Sequence, residues 1–313
     1  MYFLSCVPMK SNKKFLQTLA ALLILVFHLW IPVSQWKWEH FIIKTGYIGV
    51  DLFFFLSACS LAEREFTYGN FIQNRFTIIY SKFLFFVLIA AFYKKFEPLR
   101  VIKILTGLEF FERGGGAFLW FIPAILIFYL LYPLFVKWKF PYKVLIVMIA
   151  WFVLSYLTAK YTGYTEIFIF TNRIPVILLG YQLTTLNKNV RWSLLLCFPL
   201  GLALLYYYGY MHKLNVPFTD IYFVIGIFTV AGLYAISTFI KQSKVWDVSG
   251  IGTLELYALQ MIFGPTVVTE VYRMTKNAFM TNLIVILVFF LVSIVLSKIF
   301  SILYKKITKE LSH

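Results

Sequence analysis

The stretch Phe15-Leu-Gln17-Thr-Leu-Ala-Ala-Leu-Leu-Ile-Leu-Val-Phe-His28-Leu-Trp-Ile-Pro-Val33 holds no Lys, Arg, Asp or Glu. A helix that crosses a bilayer needs about 20 mostly apolar residues, so this run is long enough to span one. It follows Lys10, Lys13 and Lys14, which gives the start of the chain the look of a signal peptide. No small-x-small cleavage site follows, and nine more apolar runs do, so it reads as an uncleaved first span. Those runs fall at 45–62, 79–93, 117–136, 144–160, 173–186, 192–210, 221–240, 249–268 and 281–303. The expected fold is therefore all-α, a polytopic membrane bundle of about ten transmembrane helices. Met9, directly followed by the lysines, is an alternative start of translation.

Composition agrees. Of 313 residues, 61% are hydrophobic and 13% charged, against about 25% charged in an ordinary soluble domain, which excludes a soluble enzyme. The 29 Lys and Arg against 13 Asp and Glu give a net charge of +16. The basic residues lie mostly in short segments between apolar runs, where the positive-inside bias and anionic headgroups explain them, so membrane lipid is the expected partner and nucleic acid is not. With both termini cytoplasmic, the inner segments hold Arg64 and Arg75, then Lys137, Lys139 and Lys143, Lys188 and Arg191, Lys241 and Lys244, and Lys305, Lys306 and Lys309. Segment 94–116 departs from the pattern, being outside yet carrying Lys94, Lys95, Arg100, Lys103 and Arg113. Its helical spacing of apolar residues suits a helix in the interface or a re-entrant segment. No internal repeat is evident, and the chain divides into a cytoplasmic segment 1–14, one membrane domain over 15–303 and a cytoplasmic tail 304–313. Cys6, Cys59 and Cys197 are unpaired in spacing, so neither a disulfide framework nor a metal site is indicated. Oligomeric state is not legible.

Ionisable side chains within a bilayer are costly and mark function by default. Of the acids and histidines, only His28, Asp51 and Glu255 lie well inside a run. Counted from the ends of their runs, His28 and Asp51 both lie roughly 7–9 Å below the external surface, at a common depth in adjacent antiparallel helices. A carboxylate that holds one imidazole nitrogen and leaves the other free is what a general base requires. Gln17, eleven residues before His28, shares its face roughly 16 Å away and would line the same channel. Arg75 and Lys82 have no acid nearby in sequence and are free to meet an anion, phosphate above all. Arg173, at the external start of the sixth run beside Asn172, has the alternative of snorkelling to water. Glu255, roughly 9 Å from the cytoplasmic side, is too low to pair with the histidine. No GxSxG elbow, Walker loop, HExxH or cysteine pair is present.

The order of these patches resembles the acyltransferase-three family of integral membrane acyltransferases. The resemblance rests on Phe15 to His28, then Gly46-Tyr-Ile-Gly49-Val-Asp51-Leu-Phe-Phe-Phe-Leu-Ser57, Asn74-Arg75-Phe, Leu119-Trp120-Phe-Ile-Pro123, Phe128-Tyr-Leu-Leu-Tyr-Pro133, Asn172-Arg173-Ile-Pro175, Leu179-Gly-Tyr181 and Gly252-Thr-Leu-Glu-Leu-Tyr257. It implies transfer of an acyl group, commonly acetyl from acetyl-coenzyme A, to a hydroxyl of a surface polysaccharide, such as an exopolysaccharide of the cell envelope, or of its lipid-linked precursor. The location it implies is the bacterial cytoplasmic membrane. Catalysis would fall to His28 and Asp51, the donor to Gln17, Arg75, Lys82 and Lys14, and the acceptor to Asn172, Arg173, Trp120 and Ser57, with no metal. Gln17 departs from the family's basic residue, and Ile78 stands where a further arginine is common, so donor binding would lean on Lys13, Lys14 and Lys82. The competing reading is a transporter or flippase of a lipid-linked sugar; it would favour interrupted helices or a repeat.

Overall fold

The computed structural model describes residues 12–33, 37–161, 167–185, 191–212, 219, 221–249 and 252–310. The Met9 start, Lys10, Lys188 and His313 lie outside the described residues. Within them the regular structure is entirely helical. The helices are α1 (Lys13–Leu29), α2 (Lys37–Lys44), α3 (Tyr47–Ala62), α4 (Tyr68–Lys94), α5 (Pro98–Leu105), α6 (Leu108–Arg113), α7 (Phe121–Lys137), α8 (Lys143–Tyr161) and α9 (Phe168–Thr171). There follow α10 (Ile174–Thr185), α11 (Arg191–Leu195), α12 (Cys197–Leu205), α13 (Tyr222–Ser237), α14 (Lys244–Ser249), α15 (Thr253–Thr275) and α16 (Ala278–Glu310).

Each apolar run of the sequence holds a helix. Among the described residues, five helical stretches are long and apolar enough to cross a membrane, and six if the bent pair 108–116 and 121–137 forms one span. The others fall short of that measure by length, as in the 17 residues of α1 and the 16 of α13, or by polarity, as in α15 with Glu255, Glu270 and Arg273. Helix α4 begins eleven residues ahead of its apolar run, because Asn70, Gln73, Asn74 and Arg75 lower the hydropathy without breaking the helix. The outer surface of the bundle is apolar. On α16, Leu287, Leu291, Val295 and Ile299 recur every fourth residue and are exposed, the stripe a lipid-facing helix presents.

Helix α1 starts on a side-chain cap, Asn12 Oδ1 accepting from Phe15 N at 2.9 Å, while Asn12 Nδ2 donates to Lys241 O at 3.1 Å. It then packs at close range against α3. A Cβ at Gly49 would sit 2.5 Å from Ala20 O, and one at Gly46 2.2 Å from Phe27 Cβ, so only glycine lets the two backbones approach this far. One core forms around α4, α7, α15 and α16, and a second around α3, α10, α12 and α13. Helices α1 and α3 contribute to both.

Segment 94–116 forms α5, α6 and a 3₁₀ turn at Gly114–Gly116. Three of its five basic residues pair with acids of the same segment, and Lys94 Nζ donates to Met261 O at 2.7 Å. Buried Glu109 meets Arg100 Nε at 2.9 Å and Arg113 Nη1 at 3.5 Å and accepts from Phe118 N, and Lys103 pairs with Glu112 at 2.7 Å. The chain then turns by 119° into α7, with buried Leu119 held at φ +54°. A non-glycine residue in that region costs on the order of 1–2 kcal/mol and persists where packing fixes it. The turn delivers Trp120 to the interior.

Candidate active site

The bundle encloses a chamber of about 430 Å³ among α1, α3, α4, α7 and α15. His28 and Gln17 line it from one face of α1, as their eleven-residue spacing requires. His28 has an accessible side chain and makes no hydrogen bond with any described residue. Its one ring contact is edge-on to Phe27, with centroids 5.0 Å apart. An imidazole in that setting keeps both nitrogens for a bound molecule, which is the condition for general-base or nucleophilic work.

A second chamber of about 730 Å³ is lined by Ser60, Arg64, Thr67, Asn70, Asn74 and Tyr304, among others. The two chambers share Gln17, Phe53, Ser57, Arg75, Ile78 and Tyr129 and so meet at those residues. Ser57 Oγ and Tyr129 Oη lie 3.4 Å apart, and Gln17 Oε1 is buried without a hydrogen-bond partner among the described residues. The neck between the chambers thus presents an amide and two hydroxyls. It carries Arg75 as well, whose guanidinium lies 5.8 Å from the ring centres of both Phe71 and Tyr129. Among the described residues the Arg75 side chain has no ion pair or hydrogen bond, so its guanidinium N–H groups remain available to an anion.

The expected pairing of Asp51 with His28 is not what forms. Asp51 is fully buried between α3, α10 and α13; Oδ1 lies 3.1 Å from Arg173 Nε, and Oδ2 accepts from the Tyr222 hydroxyl. Equal depth along two helices does not fix their rotation, and the carboxylate faces away from α1. Arg173 does not snorkel. It is fully buried, with its guanidinium 4.9 Å from the Tyr222 ring and 5.9 Å from the Trp120 ring. Its Nη atoms have no hydrogen bond among the described residues. Asn172 is buried too, donating to Thr219 O at 3.0 Å, and neither residue lines a chamber.

Lys82 lines the inner chamber but is not free. Its Nζ meets Glu255 Oε1 at 2.6 Å, an acid from 173 residues along the chain, and Glu255 is buried. Lys13 is likewise taken up by Glu63 at 2.6 Å, and Lys14 is exposed and lines neither chamber. Of the remaining expectations, Trp120 lines the inner chamber and Ser57 the neck. Sequence reasoning missed Tyr129 and Tyr257, although both stand within the quoted patches, and Tyr47 and Phe27, which flank the glycine contact of α1 and α3. Among the described residues no group of three His, Cys, Asp or Glu side chains could hold a metal.

A family model described as an acyltransferase domain matches residues 14–302, nearly the whole chain. No curated protein and no solved structure matches.

Proposed function

The chain belongs to the acyltransferase-three family, and from that premise we propose that it moves an acetyl group from acetyl-coenzyme A to a hydroxyl of a cell-surface polysaccharide or its lipid-linked precursor. The observation that carries the reading is the pair of joined chambers. They lead from the arginines of α4 and its entry loop, past a neck of neutral polar groups, to an imidazole with no partner of its own. A nucleotide with phosphates, an amide-containing arm and a thioester end present those three kinds of chemistry in the same order.

Arg75 would hold phosphate where the outer chamber meets the neck, and Gln17, Ser57 and Tyr129 would hydrogen-bond the arm. Helix geometry separates Gln17 from His28 by roughly 16 Å, comparable to the length of that arm. At the far end His28 takes the acceptor's hydroxyl proton, the oxygen attacks the thioester carbonyl, and the carbon–sulfur bond breaks to release the thiol, which takes the proton. On this reading the mouth faces the cytoplasm, the chain has ten spans with both termini inside, and the acceptor reaches His28 from the external face of the bacterial cytoplasmic membrane.

The test is transfer of radiolabelled acetyl from acetyl-coenzyme A to cell-envelope glycan, in membranes carrying the wild type or His28→Ala at equal expression. Label present with the wild type and lost with the variant supports the reading. No label from either, with the protein folded and native acceptor present, directs attention to a longer acyl donor or to transport.

A further inference from the structure

The family resemblance leaves this chain one arginine short, Ile78 standing in the second position, and of the lysines expected to compensate Lys14 lines neither chamber. Lys82 is held by Glu255 and Lys13 by Glu63. The outer chamber shows a different source of charge. Arg64 lies in the connection between α3 and α4, lines the chamber that Arg75 lines, and is exposed. Like that of Arg75, its side chain has no ion pair or hydrogen bond among the described residues. The acid lining this chamber is Glu65, against the two guanidinium groups.

The surroundings are those of an anion site. Thr67, the residue that precedes α4, makes no side-chain cap, and it and Asn70 both line the chamber. The uncapped amides at the start of this 27-residue helix carry partial positive charge toward the same space. Asn74 adds a side-chain amide one turn further, and the chamber, at about 730 Å³, has room for a nucleotide.

We infer that Arg64 and Arg75 together form the subsite for the phosphate groups of the acyl donor, Arg64 supplying the charge that Ile78 does not. This rests on the donor reading above and adds to it the residue that makes the site sufficient. Recruitment from a neighbouring loop works because the guanidinium fork needs only reach and orientation, not a place on the same helix.

The experiment is equilibrium binding of coenzyme A to the full chain purified in detergent, for the wild type, Arg64→Gln and Arg64→Lys. It is run beside acetyl transfer from S-acetylpantetheine, a donor without phosphate. Arg64→Gln should weaken coenzyme A binding about tenfold, the size of one charge-assisted hydrogen bond at a partly open site, with partial recovery in Arg64→Lys. Transfer from S-acetylpantetheine should be equal in wild type and Arg64→Gln. Unchanged coenzyme A binding in Arg64→Gln would overturn the assignment while leaving the donor reading intact. Equal losses with both donors would overturn it as well, by showing a structural role. Displacement of bound coenzyme A by phosphatidylglycerol, and not by phosphatidylcholine, would reassign the site to a lipid headgroup. A wild type that binds no coenzyme A would overturn the donor reading and this subsite together.

Discussion

Asp51→Asn separates a structural role for this carboxylate from a catalytic one. The charges of Asp51 and Arg173 stand 3.1 Å apart with both side chains fully buried. At an effective dielectric constant of about 20 their attraction is about 5 kcal/mol. Asparagine keeps the shape and can still meet Tyr222, but it leaves a buried guanidinium that does not lose its proton at any ordinary pH. Removing one partner of a buried pair costs about 3–5 kcal/mol. On the scale of large soluble domains that lowers the melting temperature by about 10 °C. Thermal unfolding in detergent can be followed with a thiol-reactive dye, since Cys59 is buried and reports the loss of packing. Arg173→Met in the Asp51→Asn background removes both charges and should restore most of the loss. Activity per folded molecule should survive in Asp51→Asn. A variant that melts like the wild type yet transfers no acetyl would refute the reasoning and return Asp51 to the chemistry.

Other consequences are equally specific. Gly46→Ala should lower both stability and activity, since its Cβ would lie 2.2 Å from Phe27 Cβ, next to His28; Gly69→Ala, with nothing within 4 Å, should leave both unchanged, as melting and transfer assays will show. Lys82→Met leaves Glu255 buried alone and should destabilise by about 3 kcal/mol; Lys82→Met/Glu255→Gln should lose less than the two single changes summed, which a double-mutant cycle on melting measures. Gln17→Leu should raise KM for acetyl-coenzyme A about tenfold through the lost hydrogen bond at the neck, with kcat little changed and binding of adenosine 3′,5′-bisphosphate unaffected.

The helical membrane bundle was legible because ten long apolar runs admit little else, and the common face of Gln17 and His28 followed from helical spacing within one segment. Contacts between segments were not. Asp51 and Arg173 are 122 residues apart in the chain, and Lys82 and Glu255 are 173 apart. Depth along a helix can be counted from the sequence, but rotation about its axis depends on the glycine-mediated packing of α1 on α3 and of α10 on α3, where a Cβ at Gly180 would lie 2.8 Å from Phe55 O. Charge was misleading for a related reason. Lysines placed by the positive-inside pattern looked available, and only the fold shows that acids distant in sequence occupy two of them. Arg100 and Lys103 looked out of place for want of the same information, their partners Glu109 and Glu112 lying in the next short helix.

If the joined chambers carry the sulfur end of coenzyme A to His28, a thiol placed there should capture it; the measurement is the intact mass and the modified peptide of His28→Cys, purified as the full chain, after incubation with coenzyme A disulfide. One mixed disulfide should form at position 28, by thiolate exchange with release of one coenzyme A thiol, and excess acetyl-coenzyme A should block it. Modification confined to the native cysteines, or labelling at position 28 that acetyl-coenzyme A does not compete away, would contradict that path to His28.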